Sequence, residues 1–429
     1  MLKLLAALAV AMGLQTLPAA AAAAASPLDV LAPDYVTLLL EVGEHDEGYI
    51  DAYTGPPEWQ ARAKARGRQI PAVRADVETL SRRISAVPAK ALDPMERRRR
   101  EAMLADLKAA RVRLDLREGK RLPFRDEAEA MLGWRPELKP LSAYDPILAR
   151  IEAIVPGSGP LAERVDAFKM RYVIPKDRLE PVMRAAIAEC RRRTAAHIAL
   201  PKDERFDLEF VTNKSWSGYN WYKGANVSLI QINTDLPIFI DRAVDLGCHE
   251  GYPGHHVRNL LGEERMLKGR GWREYSVQPL FSPTSFISEG TGNYGIDLAF
   301  PGAERTAFEA RTLYPLAGLD PGTAEANSRL REAMFELANA RATISADYLD
   351  GRIDKETAIR LIQKYQLVSR KRAEQLIAFT DQYRSYVINY GLGQDAVRAY
   401  VERAGPSAAA RWKAFERLIA EPTLPRELR

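Results

Sequence analysis

The chain has 429 residues, 46% of them hydrophobic and 28% charged, with 27 glycines and 27 prolines. That composition excludes a disordered, collagenous or disulfide-stapled chain. Lysine and arginine total 62 against 57 acidic residues, a net charge of +5, too slight over this length to point to nucleic acid.

In chain order, Met1-Leu2-Lys3, the apolar run LLAALAVAMGL and the small residues up to Ser26 read as a secretory signal peptide over 1–25. An exported, periplasmic protein is therefore expected. No later segment approaches the ~20 apolar residues of a membrane span, so no transmembrane segment is expected. Asp34–Tyr53 has helical spacing up to the stop at Thr54-Gly55-Pro56-Pro57. Asp93-Pro94-Met95-Glu96 carries the cap, first-turn proline and third-position glutamate of a helix start, and that helix should run to about Arg117. The arginine runs Arg97–Arg100 and Arg191–Arg193 read as solvated helix faces.

The break Pro156-Gly157-Ser158-Gly159-Pro160 divides an N-terminal helical region, 26–160, from a second region, 161–429. Amphipathic patterns follow at about 161–171, 178–199, 325–349, 355–377 and 394–404, with another helix within 236–256. Between them, Arg205–Val211 and Val227–Asn233 are β-rich, and the turn-rich aromatic stretch Trp216–Tyr222 separates them. The expected fold is mainly α: a large helical body with a small antiparallel sheet at about 205–233. Val227–Asn233 is the strand expected to pair with an extended peptide by β-addition.

Three of the five histidines fall in Cys248-His249-Glu250-Gly251-Tyr252-Pro253-Gly254-His255-His256, and histidine is the commonest side-chain metal ligand. Cys248 reads as a small buried thiol. In the H-E-x-x-H arrangement, two histidines on one helical face bind zinc and the glutamate acts as base. Here the spacing is longer and Pro253-Gly254 must distort the helix. On an undistorted helix His256 returns to the face of His249, while His255 is rotated by roughly a third of a turn. A proline-induced bulge absorbs that rotation, so phase does not choose between them. A third ligand is needed, and Ser288-Glu289-Gly290-Thr291-Gly292-Asn293 offers Glu289. Ser285 or Ser288 is a candidate helix cap there. Gly290, Gly292 and Gly295 would allow close approach to the His249 helix.

The run HEGYPGHH resembles the H-E-A-x-P-G-H-H signature of the bacterial domain-of-unknown-function 885 family, whose members look like gluzincin-type zinc metallopeptidases. GEHDEGYIDAYTGPP (43–57), Ser288-Glu289-Gly290 and Tyr390-Gly391-Leu392-Gly393-Gln394 match further blocks, so the resemblance spans most of the chain after the signal segment. It implies a gluzincin-like cleft and one zinc per chain held by His249, His255 and Glu289. It also implies Glu250 as general base, with His256 facing substrate or supporting the ligands. The chain departs from the pattern at Thr291-Gly292-Asn293, where the family has Trp-Ala-Leu.

Peptide hydrolysis also needs a donor to the oxyanion. Tyr390 is the candidate, with Tyr386 and Arg384 of the same segment as substrate contacts. His45 and His197 read as structural or surface residues. Competing readings are a non-catalytic zinc-dependent peptide-binding protein and a metal-dependent amidase acting on a non-peptide substrate.

Overall fold

The computed structural model describes residues 26–429; the expected signal peptide lies outside the described residues. Among the described residues, no helix is long and apolar enough to cross a membrane. The chain is mainly helical, as its periodicity indicates, with two small sheets. The helix Pro94–Arg117 opens with the capping box read from the sequence: Asp93 Oδ1 accepts from the Glu96 amide at 2.8 Å, and Glu96 Oε2 accepts from the Asp93 amide at 3.1 Å. The expected helix from Asp34 is shorter, Ala32–His45, because Gly48 takes a φ of 79°. Ile50–Tyr53 instead forms strand β1 and pairs antiparallel with β5, Val277–Pro279, a distant partner that local periodicity cannot register.

The second sheet lies at the expected place but is mixed. It contains β2 (Arg205–Val211), β3 (Gly218–Gly224) and β4 (Val227–Asn233) in the order β2-β4-β3. The aromatic stretch supplies β3. Ala225 and Asn226, with φ of 51° and 63°, make the two-residue, positive-φ loop that turns it into β4. With β3 taking the antiparallel place beside β4, β2 is left to pair on the other side, in parallel. β4 is thus the central strand, and β-addition along it is excluded because both of its edges are already paired.

The arginine run is not a solvated face either. Arg99 is 1% exposed and bonds Glu274 and Asp29, while Arg98 reaches Glu421 and Glu427 near the C-terminus. A second apolar core joins Tyr144, Leu148 and Ile151 to Leu330, Ile359 and Ile362. Cys248 is not a free thiol: it is disulfide-bonded to Cys190, with Cα atoms 5.5 Å apart. The bond fastens the HEGYPGHH segment to the helix Leu179–Ala195.

Candidate metal centre

The HEGYPGHH segment is two short helices with a fold between them. Ile240–Leu246 runs into a single π-turn at Gly247–Gly251, the Tyr252–Pro253 peptide is cis, and a new helix starts at His255. Gly254 permits the reversal, since a Cβ there would lie 1.9 Å from the His249 carbonyl oxygen. The break brings the rings of His249 and His255 to 4.6 Å, nearly perpendicular at 88°. The helix Pro283–Ala299 passes across them and presents Glu289. One carboxylate oxygen lies 3.1 Å from His249 Nε2 and the other 3.7 Å from His255 Nε2. Ligand-capable atoms of these three residues lie within 4.8 Å of one another.

The protonation pattern tests whether this triad fits a metal. Asn293 Nδ2 donates to the Tyr390 carbonyl at 2.8 Å, which turns its Oδ1 toward His249 Nδ1 at 2.9 Å. His249 therefore carries a proton on Nδ1 and directs Nε2 at the carboxylate. His255 Nδ1 meets Ser288 Oγ at 3.1 Å, and its Nε2 likewise faces Glu289. Glu289 Oε2 is buried without a hydrogen-bond partner among the described residues. Burial opposes charge on His249, but the carboxylates of Glu289 and Glu250 outweigh it and push the pKa up to about 9. Burial pushes His255 down to about 3. Burial also opposes charge on Glu289, yet His249, His255 and Tyr386 hold it below its usual range. Positive charge is favoured at the meeting point, and His255 keeps a lone pair aimed there. Two imidazole nitrogens and one carboxylate oxygen, with outer partners fixing the rings, form a donor set whose chemistry fits a divalent metal such as zinc.

The glycines set the spacing. A Cβ on Gly292 would lie 2.8 Å from His249 Nδ1, and one on Gly295 would lie 2.9 Å from Pro253 Cγ. Gly290 faces the other way, against the Gly393 carbonyl of the helix Ile388–Glu402, where its Cβ would lie at 2.5 Å. The departure at Thr291-Gly292-Asn293 thus provides room for one imidazole and the acceptor that orients it. The sequence reading assigned Asn293 no such part. Its position four residues after Glu289, one helical turn on, was the available signal.

Glu250 points into the same cleft, which has a volume of about 500 Å3. Its carboxylate has no hydrogen-bond partner among the described residues, and burial pushes its pKa up to about 7. Tyr390 also lines the cleft, and its hydroxyl has no hydrogen-bond partner among the described residues. Tyr386 reaches the cleft wall, but its hydroxyl donates to Glu289 Oε1 at 2.8 Å. Two other candidates lie elsewhere. His256 is fully buried behind the motif, with Nδ1 2.8 Å from Ser228 Oγ and Nε2 3.0 Å from Glu204. Arg384 is tied to the buried carboxylate of Glu127 at 2.8 Å and does not line the cleft. Asp51 on β1 does line it; burial raises its pKa to about 6, and the Tyr219 hydroxyl donates to it. The sequence reading passed over Asp51, although it sits in the matched block 43–57.

No protein-family model and no curated protein matches the chain. Among solved structures it is similar to a protein from Colwellia psychrerythraea described as a lipoprotein. The TM-score is 0.53 at 15% identity, over 82% of this chain and 64% of that one. The chain thus spans less than two thirds of that protein's length, and the likeness is one of fold. A crystal structure of M32 carboxypeptidase from Deinococcus radiodurans R1 aligns over 92% of this chain and 89% of that one, at 14% identity. Its TM-score of 0.37 is too low to carry an argument.

Proposed function

We propose that the chain is an exported zinc-dependent metallopeptidase of the family its HEGYPGHH run resembles, hydrolysing peptide bonds of short peptides. The observation that carries this reading is the convergence of three acceptor groups, from His249, His255 and Glu289, beside an unpartnered glutamate in one cleft. In this reading the region 161–429 is catalytic, and the region 26–160 contributes Asp51 to the cleft. A disulfide next to the motif agrees with an oxidising compartment.

Bound zinc would be held by His249, His255 and Glu289, and would supply Lewis acidity and lower the pKa of a water toward ~7. Glu250 takes a proton from the attacking water and passes it to the leaving amine. One water is consumed, the C–N bond breaks, and a carboxylate and an amine result. The free hydroxyl of Tyr390 donates to the oxyanion. Tyr386 holds Glu289, Asn293 holds His249, and Gly218 packs so closely that a Cβ there would sit 2.9 Å from Glu250 Oε1.

The test is Glu250→Gln on the zinc-loaded protein. Zinc content by mass spectrometry should stay at one per chain, while peptide turnover falls by at least about 100-fold. Full turnover in that variant would remove Glu250 from the mechanism. Zinc binding with no turnover of any peptide by the parent protein would favour the binding-protein reading.

A further inference from the structure

Arginine side chains line much of the cleft, and most are neutralised from within the chain. Arg99 presents its Nε–Nη2 edge to Glu274, with Nη2 to Oε2 at 2.8 Å. Outside the cleft, Arg113 does the same to Asp46, at 2.6 and 2.9 Å. Arg242 bonds Asp245 at 3.0 Å, and Arg305 bonds Asp245 at 2.8 Å. Arg258 has a buried Nε without a hydrogen-bond partner among the described residues, but it lies in the field of the Asp51 and Asp106 carboxylates, which Arg341 does not.

Arg341 breaks the pattern. It is the second residue of the helix Ala340–Leu349 and lines the cleft. Its Nε and Nη2, the same edge that Arg99 and Arg113 use, are both fully buried without a partner among the described residues. Its guanidinium lies 5.0 Å from the Phe379 ring, a cation–π contact that orients it but does not cancel its charge. Arg372, also on the cleft wall, bonds the neutral side chain of Gln375 and no carboxylate among the described residues. Burial lowers both to about 10, so both stay cationic at neutral pH. Both residues are half-buried and lie in each other's field, and among the described residues no carboxylate bonds either side chain, so the buried edge of Arg341 favours an anion from outside. A planar two-donor edge matches a carboxylate. The site adjoins the chemistry: Tyr390 is in the field of Arg341 as well as of Glu289 and Glu250, and its ring lies 6.0 Å from that of Phe379.

We infer that Arg341, supported by Arg372, receives the free α-carboxylate at the C-terminal end of the substrate, which makes the cleft that of a carboxypeptidase. The inference rests on the peptidase reading above. An aspartate or glutamate side chain carries the same chemistry. The α-carboxylate is favoured because a buried edge suits a chain end, where no further residue has to pass the guanidinium.

The experiment is calorimetric binding to zinc-loaded Glu250→Gln protein, with three N-acetylated alanine tetrapeptides: the C-terminal acid, the C-terminal amide, and an amide with glutamate as its last residue. The acid should bind at least about 30-fold more tightly than either amide. Arg341→Gln should reduce that ratio below about 3-fold, leave the affinity for the plain amide unchanged, and leave zinc content intact. Arg341→Lys, which keeps the charge but loses the fork, should lie between. Equal binding of acid and amide, or equal weakening of both by Arg341→Gln, would overturn the inference. A glutamyl amide binding as tightly as the acid would overturn it in favour of a side-chain pocket. The two readings fail separately. Arg341-dependent discrimination in a protein whose parent cleaves nothing keeps the carboxylate receptor and removes the peptidase. Cleavage of acid and amide at equal rates by the parent does the reverse.

Discussion

His255 and His256 are consecutive, and each meets a glutamate, yet they belong to opposite kinds of cluster. Behind the motif, His256 sits between Ser228 and Glu204. The same carboxylate also accepts from Tyr252 and from Arg191, the latter at 2.6 Å. On the cleft side, Nε2 atoms of His249 and His255 face a carboxylate that keeps one oxygen unpartnered. A closed network holds the chain in shape; acceptors turned on one another hold an ion. The contents of the two clusters are almost alike, so the difference lies in which lone pairs remain unused.

That contrast is most directly broken by exchanging the effects of two alanine substitutions. His255→Ala should remove stoichiometric zinc, measured by mass spectrometry after dialysis, with little change in the apo-protein's melting temperature. His256→Ala should keep zinc and lower folding stability by about 3 kcal/mol in urea titration, the scale for opening a buried charged network. The reverse pattern would make His256 the ligand. A smaller effect is expected one contact out. Asn293→Ala should weaken zinc by about 10–100-fold in a chelator competition without changing stoichiometry at saturating metal, because it releases the ring of His249. An unchanged affinity would make the Asn293–His249 contact incidental.

The smallest effect reads the closed cluster alone. Burial opposes charge on Glu204, but His256, Tyr252 and Arg191 hold its pKa at about 2, below the ordinary 4.5. A carboxyl depressed in the folded state contributes stability that is complete above pH 4.5 and is lost as pH falls toward 2. Metal-free protein should therefore lose stability across that window, and Glu204→Gln should flatten part of the loss. A superimposable pH profile for the variant would show that the network does not hold Glu204 ionised.

The helical class and the Asp93 cap were legible because capping boxes and amphipathic repeats are local. β1 and the parallel pairing of β2 were not, since each depends on a partner chosen by the whole fold. HEGYPGHH announced a cluster of ligand-type residues, but helical phase alone left His255 and His256 unresolved. The π-turn and the reversal at Gly254 separate them, and neither has a periodicity to read. Arg384 looked available because it stands in a tyrosine-rich segment; its engagement by Glu127 joins segments far apart in sequence. Arg341 gave no local signal, because an unpaired guanidinium is recognised only after every neighbouring acid has been accounted for.

The glycines around His249 have a consequence for how such a cleft can diversify. At 254 and 292 even one methyl group meets the backbone or ring of His249 within 3 Å, and at 295 it meets Pro253, so this wall cannot accept a new side chain without shifting the motif segment. The second wall, with Arg341, Phe379 and Tyr383, presents side chains to the cleft instead of glycine backbone. Substitutions that retune selectivity should collect on that second wall, leaving the first as a fixed mould for the reaction.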